Sequence, residues 1–263
     1  MIKVLFFGDI VGKIGRRALV NVLPGLRREV GADCVIVNAE NIAHGNGITT
    51  STFAELRAAQ VDAVTLGDHA FDREEAKTLL SLEAARLLRP ANYPPTLPGV
   101  GAQLVRVGTK QLLVINLLGR VFMKMAYDCP FRTFDALWER YRKETLAGVI
   151  VDFHAEATSE KQAFAWHVDG RASAVLGTHT HVPTADARIL PGGTGLVCDV
   201  GMVGARDSVI GVIPQGSLQA FLQQTPARLD PVEDGPCIVN AVLLTLDNGR
   251  LQAIQRLDRE VLA

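Results

Sequence analysis

The sequence predicts an α/β protein whose core is two β-sheets packed face to face, with helices on the outer surfaces. In the first half of the chain, short apolar runs typical of buried strands alternate with helical segments. In the second half, β-hairpin patterns become more frequent, and the strongest joins residues 238–246 to 251–257 through the Asn-Gly pair at 248–249. A two-sheet core with external helices accommodates this mixture better than a single doubly wound sheet.

The first half begins with a central strand, because residues 2–7 form an apolar run that only Lys3 interrupts. Shorter apolar runs at 34–37 and 63–66 predict two further strands. The segments between and after these strands have the composition of helices. We expect the helices at residues 15–30, 50–59 and 73–80.

The second half adds a predicted hairpin, which joins residues 103–107 to 111–117. A helix is expected at 131–144, and another begins near Ser159, a candidate N-cap. Two more apolar runs predict buried strands. These strands are expected at residues 148–153 and 172–176.

Length and composition predict one domain over residues 1–263, because the chain contains no linker and 48% of it is hydrophobic. The net charge of −1 argues against a constitutive nucleic-acid groove. No signal peptide or apolar stretch of bilayer length is present, which predicts a cytoplasmic protein without membrane contact. The four cysteines lack C-x-x-C spacing, and Cys34 and Cys198 lie in apolar runs, so we expect buried thiols rather than disulfides or a zinc site.

A histidine-rich segment follows the predicted strand at 172–176. Residues 177–182 read Gly-Thr-His-Thr-His-Val, and extended residues two apart point to the same side. We therefore expect His179 and His181 to project together from the strand end into one site. The alternative, which a lone His-x-His pattern would favour, is two surface imidazoles in a turn.

Acidic, amide or imidazole side chains also stand at the ends of four other predicted strands. Together with the two histidines they are Asp9, Glu40, Asn41, Asp68, His69, His154, His179 and His181. Such groups are ligands of Zn²⁺, Mn²⁺ and iron, and this set suffices for two ions that share a bridging carboxylate. Helix capping could explain one or two of these residues but not all five strand ends. A pair of metal ions is the better interpretation, and such a pair suits phosphoryl transfer.

Two features near the strand ends are candidate substrate contacts. Arg16 and Arg17 lie in the first turn of the predicted helix, where a cation is unfavourable, so they are either solvated or placed to meet an anion. The polar, glycine-rich loop 43–49 could cover a ligand. Within it, His44 is either an exposed loop residue or a substrate contact.

Several segments match the motifs of a known family. They are residues 8–17 (GDIVGKIGRR), 38–41 (NAEN), 152–161 (DFHAEATSEK), 177–182 (GTHTHV) and 184–186 (TAD). The sequence resembles the calcineurin-like metallophosphoesterase superfamily and, within it, the YmdB family of bacterial phosphodiesterases. The resemblance spans essentially the whole chain. It implies an α/β/β/α fold, in which helices flank a β-sandwich, a site that holds iron or manganese, and 2′,3′-cyclic nucleotides as substrates.

The resemblance also implies a role for each residue at the strand ends. One metal ion would be bound by Asp9, Asn41 and His181. The other would be bound by Asp68, His154 and His179. Glu40 would bridge both ions, and His69 would be the catalytic imidazole.

Two positions depart from the wider superfamily pattern. Val11 stands where the superfamily usually has a histidine, and the amide oxygen of Asn41 would compensate as a harder ligand. Asp68 stands where the superfamily usually has asparagine. The extra negative charge should strengthen metal binding and weaken Lewis acidity.

The leading hypothesis is a two-metal phosphodiesterase in which a metal-bridging hydroxide attacks the phosphorus of a cyclic nucleotide such as 2′,3′-cAMP. A phosphomonoesterase or protein phosphatase with the same metal pair is the second, and a nucleotide-sensing regulatory protein is the third. A monoester carries more charge than a diester and would demand more cations than Arg16, Arg17 and Lys13 supply. We expect the metal to be iron or manganese, with zinc or magnesium as alternatives. The sequence leaves open whether the protein forms a homo-oligomer.

Overall fold

The computed structural model describes residues 1–262 as two mixed β-sheets with six helices. Strands are numbered along the chain. The larger sheet has nine strands: β1 (Ile2–Ile10), β2 (Cys34–Asn38), β3 (Ala63–Thr65), β4 (Leu87–Leu88), β11 (Met202–Ala205), β12 (Pro236–Val239), β13 (Ala241–Asp247), β14 (Arg250–Arg256) and β15 (Arg259–Leu262). The smaller has six: β5 (Ala102–Val107), β6 (Lys110–Leu118), β7 (Gly148–His154), β8 (Ala174–Thr178), β9 (Arg188–Ile189) and β10 (Gly195–Val197).

Six helices accompany the sheets, and the first five pack on their outer faces. They are α1 (Gly12–Val30), α2 (Thr50–Ala58), α3 (Ala76–Leu82), α4 (Pro130–Tyr141), α5 (Thr158–His167) and α6 (Pro214–Gln223). On β1, Leu5 and Phe7 pack toward α1, whereas Val4 and Phe6 face the other sheet. This alternation makes a layer between the sheets and a layer under each set of helices. The α/β/β/α prediction is confirmed.

Both predicted hairpins form, but the first strand of the second one begins at Ala241 rather than at 238, because Ile238 and Val239 belong to β12, which pairs with β11 and β15. β5 and β6 pair antiparallel from Ala102–Ile115 to Val107–Lys110, and β13 pairs with β14 across the Asn-Gly turn. Parallel pairing of β1, β2 and β3 in one sheet, and of β6, β7 and β8 in the other, brings the carboxyl ends of these strands to one edge. The candidate site lies at this edge, where open α/β sheets bind ligands.

Several predicted boundaries are wrong. β1 continues to Ile10 because Asp9 and Ile10 pair with β11, so Asp9 lies within the strand and α1 begins at Gly12 rather than at residue 15. The third helix begins at Ala76, not at 73. Ser159 is not an N-cap, because α5 begins at Thr158 and the capping position is Ala157.

The cysteine prediction is confirmed, because all four thiols are free and Cys34, Cys198 and Cys237 are buried. Within residues 1–262, none of the helices combines the length and the apolar character needed to cross a bilayer.

Candidate metal centre

Four side chains from the two sheets converge in a group that we call the His154 cluster: Glu40, Asp68, His154 and His179. His154 Nε2 lies 3.1 Å from Glu40 Oε1 and 3.3 Å from Asp68 Oδ1. The same nitrogen lies 2.9 Å from His179 Nδ1. One ligand atom from each residue falls within 4.8 Å of the others, so the cluster could hold a metal ion.

The packing around the cluster fits a metal ion. Oδ1 of Asp68 is buried but receives no hydrogen bond, and the same is true of Oδ1 of Asp9 nearby. Gly67 leaves a space that a Cβ atom would fill, because that atom would lie 2.0 Å from Glu40 Oε2 and 2.4 Å from His154 Nε2. A carboxylate oxygen and an imidazole nitrogen at this space, with unsatisfied carboxylate oxygens on neighbouring residues, form a donor set that a hard or borderline divalent cation takes.

Buried charges in the cluster shift one another's pKa values. Burial acts to lower the pKa of His154, but the nearby carboxylates of Glu40 and Asp68 outweigh it and raise that pKa well above its usual value. Burial acts to raise the pKa of Glu40 and of Asp68, but His154 lowers both. The pKa of His179 falls to about 4, because of its burial and the neighbouring His154.

The other predicted ligands form a looser set that we call the Asn41 group: Asp9, Asn41 and His181. His181 Nε2 lies 3.2 Å from Asn41 Oδ1, and its Nδ1 lies 2.8 Å from the carbonyl oxygen of Ile210. Asp9 Oδ2 accepts a hydrogen bond from the backbone N–H of His179 at 3.0 Å. Burial raises the pKa of Asp9 to about 7, although His181 and His154 act to lower it.

The backbone of the histidine segment differs from the prediction. β8 ends at Thr178, and His179 and His181 have φ of 104° and 65°, so neither residue is extended. The two side chains consequently enter different groups instead of projecting together from a strand. Left-handed backbone is rare for residues with a Cβ and collects at functional sites, where surrounding contacts hold it.

His69 lies beside the His154 cluster. Its backbone N–H donates to Glu40 Oε2 at 3.1 Å, and its Nδ1 lies 2.7 Å from Asp72 Oδ2. Burial acts to lower the pKa of His69, but Glu40, Asp68 and Asp72 together raise it. Its side chain is 36% exposed, which leaves the imidazole within reach of a small molecule.

The candidate substrate contacts have partners within the protein. Arg16 forms an ion pair with Glu55 at 2.6 Å, and its Nη1 donates to the carbonyl oxygen of Ile42 at 3.1 Å. Arg17 lies 3.5 Å from Asp234. His44 is exposed and has φ of 56° in the loop that follows Asn41.

Sequence reasoning missed two residues near the site. Arg73 donates to the backbone oxygens of Ala43 and Asn46, so it holds the loop that carries His44. Glu156 Oε2 lies 3.2 Å from His179 Nε2, on the side of the ring away from the cluster. Glu156 stands two residues after His154 in a quoted motif, which was the available signal, whereas nothing local marks Arg73.

Comparison with known proteins gives consistent matches along the chain. The relative named "2′,3′-cyclic-nucleotide 2′-phosphodiesterase" of Bacillus subtilis is 40% identical over 253 residues, which cover 96% of this chain and 94% of that protein. A solved structure of a hypothetical protein from Thermus thermophilus superimposes with a TM-score of 0.92 at 44% identity, covering 98% of this chain and 99% of that one.

A second solved structure, described as a novel phosphatase of Mycoplasma pneumoniae, has a TM-score of 0.91 at 33% identity and covers 98% of this chain and 93% of that one. The family described as YmdB-like protein matches residues 5–257. With this match over nearly its full length, the chain belongs to the YmdB-like protein family.

Proposed function

We propose that this protein is a metal-dependent phosphodiesterase that hydrolyses 2′,3′-cyclic nucleotides. The observation that carries the proposal is the convergence of Glu40, Asp68, His154 and His179 within 4.8 Å. The 40% identity to the Bacillus subtilis relative supports the substrate class.

We propose that the His154 cluster holds one metal ion and that the Asn41 group, together with Glu40, holds a second. Iron or manganese suits this mixture of carboxylate, amide and imidazole ligands, and zinc or magnesium is the alternative. When bound, the ions would supply Lewis acidity toward the phosphoryl oxygens and a nucleophile at neutral pH. Glu40 is the proposed shared ligand because its Oε1 lies 3.1 Å from His154 Nε2 and it directly precedes Asn41 in the chain.

His69 is the proposed general acid, because a histidine is the side chain most often positioned for proton transfer. The Nδ1 contact with Asp72 orients the ring and leaves Nε2 for the substrate. The neighbouring carboxylates raise the pKa of His69, which keeps the proton that a leaving ribose oxygen requires. Hydrolysis would form a P–O bond to the oxygen of a water-derived hydroxide and break the P–O bond to one ribose oxygen, and His69 would protonate that released oxygen.

The surroundings favour a diester over a phosphomonoester. Five carboxylates lie in or beside the site: Asp9, Glu40, Asp68, Asp72 and Glu156. Arg16 and Arg17 have carboxylate partners, so little uncompensated positive charge awaits a dianion. Contact of Arg16 or Arg17 with substrate would require these ion pairs to open, whereas His44 is already exposed.

We infer that residues 1–263 act as one domain, because both sheets supply residues to one site. Four free cysteines support a cytoplasmic location.

Metal analysis combined with a phosphoester screen tests the function. The purified protein should contain up to two transition-metal ions per chain and should hydrolyse 2′,3′-cAMP faster than 3′,5′-cAMP or p-nitrophenyl phosphate. Chelation should abolish activity, and Mn²⁺ should restore it. Faster hydrolysis of the monoester would favour the phosphatase alternative, and nucleotide binding without turnover would favour the regulatory one.

A further inference from the structure

A buried hydrogen-bonded network lies directly beneath the His154 cluster. Its centre is the carboxylate of Asp152, which is fully buried in β7 two residues before His154. Three buried side chains donate to this carboxylate: Thr178 Oγ1 at 2.7 Å, Thr65 Oγ1 at 2.5 Å and Asn38 Nδ2 at 2.9 Å. Asn38 also accepts from the backbone N–H of Glu40 at 3.1 Å, which ties the network to a proposed ligand.

Thr178 links this network to the imidazole of His154. Its Oγ1 lies 2.9 Å from His154 Nδ1, and its hydroxyl hydrogen is directed to Asp152 Oδ1. The oxygen therefore keeps lone pairs that can accept a hydrogen bond from an Nδ1–H group. A neutral imidazole with its proton on Nδ1 has its lone pair on Nε2. That atom faces Glu40 and Asp68.

We propose that Thr178 and Asp152 are positioning residues for a metal ligand: they keep the proton on His154 Nδ1 and so leave Nε2 to bind a divalent metal ion. The inference rests on the proposed metal site and adds to it the two residues that fix the tautomer. A partner on the second nitrogen of a ligating histidine sets the ring orientation and raises its basicity, and losing it costs about 10–100-fold in metal affinity.

Packing alone does not account for an aspartate at this position. The residues around it in β7 are apolar, and burying a carboxylate is costly unless hydrogen bonds compensate. An apolar side chain would fill the strand more cheaply. The three donors to Asp152 satisfy its charge, and one of them is the hydroxyl that contacts His154.

The matched variants Thr178→Val and Thr178→Ser test the proposal. Both change a buried residue, but only serine keeps the hydroxyl. Mn²⁺ affinity of the metal-free proteins would be measured at fixed pH by competition with a chelator. We expect valine to weaken binding of the more tightly held ion about 10–100-fold and serine to stay within about 3-fold of the parent.

Thr65→Val is the control, because it removes a second donor to the same carboxylate without touching His154. Its Mn²⁺ affinity should stay close to that of the parent. Equal losses for Thr65→Val and Thr178→Val would show a general packing effect and overturn the proposal, as would an unchanged affinity of Thr178→Val. A parent protein that binds no Mn²⁺ would instead refute the metal site itself.

If Thr178→Val does not fold, NMR of the unmodified protein loaded with Zn²⁺ decides the question. The His154 ring should carry its proton on Nδ1 and show slow exchange of that proton. A proton on Nε2 would overturn the proposal.

Discussion

The two halves of the site differ in how closely the protein gathers their ligand atoms. In the His154 cluster, His154 Nε2 approaches two carboxylates and a second imidazole within 3.3 Å. In the Asn41 group, only Asn41 and His181 are close together, at 3.2 Å. Asp9 is directed instead toward the backbone of His179 and toward His154 Nδ1, which lies 3.7 Å from Asp9 Oδ1.

The difference is one of ligand type, because each half has one carboxylate besides Glu40. Besides Glu40, the His154 cluster has a carboxylate and two imidazoles, whereas the Asn41 group has one carboxylate, an amide and a half-buried imidazole. Val11, whose side chain offers no ligand atom, is 3% exposed and packs so closely on Gly211 that an added Cβ there would lie 2.6 Å from Val11 Cγ1. Because the Asn41 group has an amide where the His154 cluster has a second imidazole, and its ligand atoms are less closely gathered, we expect its ion to dissociate first on chelation.

The largest effect should come from Glu40→Gln, because Glu40 belongs to both halves in the proposed arrangement. The change removes a charge and keeps the size of the side chain. Metal affinity should fall more than about 100-fold. Losing a group that only hydrogen-bonds to a metal ligand already lowers the affinity about 10–100-fold. Hydrolysis should be abolished while circular dichroism stays unchanged. Two ions per chain with normal turnover would refute the shared role.

His69→Ala should separate chemistry from metal binding, because His69 belongs to neither half. Both ions should remain, and kcat for 2′,3′-cAMP should fall about 10²–10⁴-fold. The loss should be smaller for a p-nitrophenyl diester, whose leaving group needs no proton. Asp72→Asn serves as the control and should cause a smaller decrease. Equal losses on both substrates would indicate electrostatic stabilisation rather than proton transfer.

His154→Ala and His181→Ala should each remove the metal ion of one half of the site and leave that of the other. Metal analysis should find that His154→Ala loses the tightly held ion and that His181→Ala loses the weakly held one. Chelator titration of the parent supplies the two reference affinities. If either variant lost both ions equally, the two halves would form one cooperative site.

Asp68→Asn should have the smallest effect on metal affinity and turnover. The substitution tests the role of the negative charge that Asp68 adds to the His154 cluster. Asp68 is one of three carboxylates near His154, so its neutralisation should weaken the tightly held ion about 10-fold or more. At saturating metal, turnover should equal or exceed that of the parent, because the site would attract an anionic diester more strongly. Superimposable metal–activity curves for the two proteins would exclude Asp68 as a ligand.

The position of the site was predictable because strand ends are local features. Apolar runs located the ends of β2, β3 and β7. Parallel pairing places Glu40 and Asp68 at one edge of the larger sheet, and the packing of the two sheets brings His154 beside them. The paths of the backbone beyond these ends were not predictable. The left-handed φ of His179 and His181 depends on tertiary contacts, such as the hydrogen bond between Asp9 and the His179 backbone.

The buried network was beyond local reasoning for the same physical reason. Asn38 and Asp152 are 114 residues apart, and Thr65 and Asp152 are 87 apart. No spacing rule connects residues that meet only when two sheets pack. The alternation of β7 does place Asp152 and His154 on one face, so one link was visible in the sequence. The role of Thr178 could be recognised only from the register of β8 against β7.

The origin of the ligands in two different sheets has a thermodynamic consequence. Glu40 and Asp68 follow strands of the nine-stranded sheet, whereas His154 and His179 belong to the end of the six-stranded sheet. An ion bound by all four would join the sheets, and the unfolded chain has no such site. Free metal at about 100 times its dissociation constant would add about 2.7 kcal/mol to the free energy of unfolding. The lifetime of the folded protein in a cell would then follow the supply of the metal.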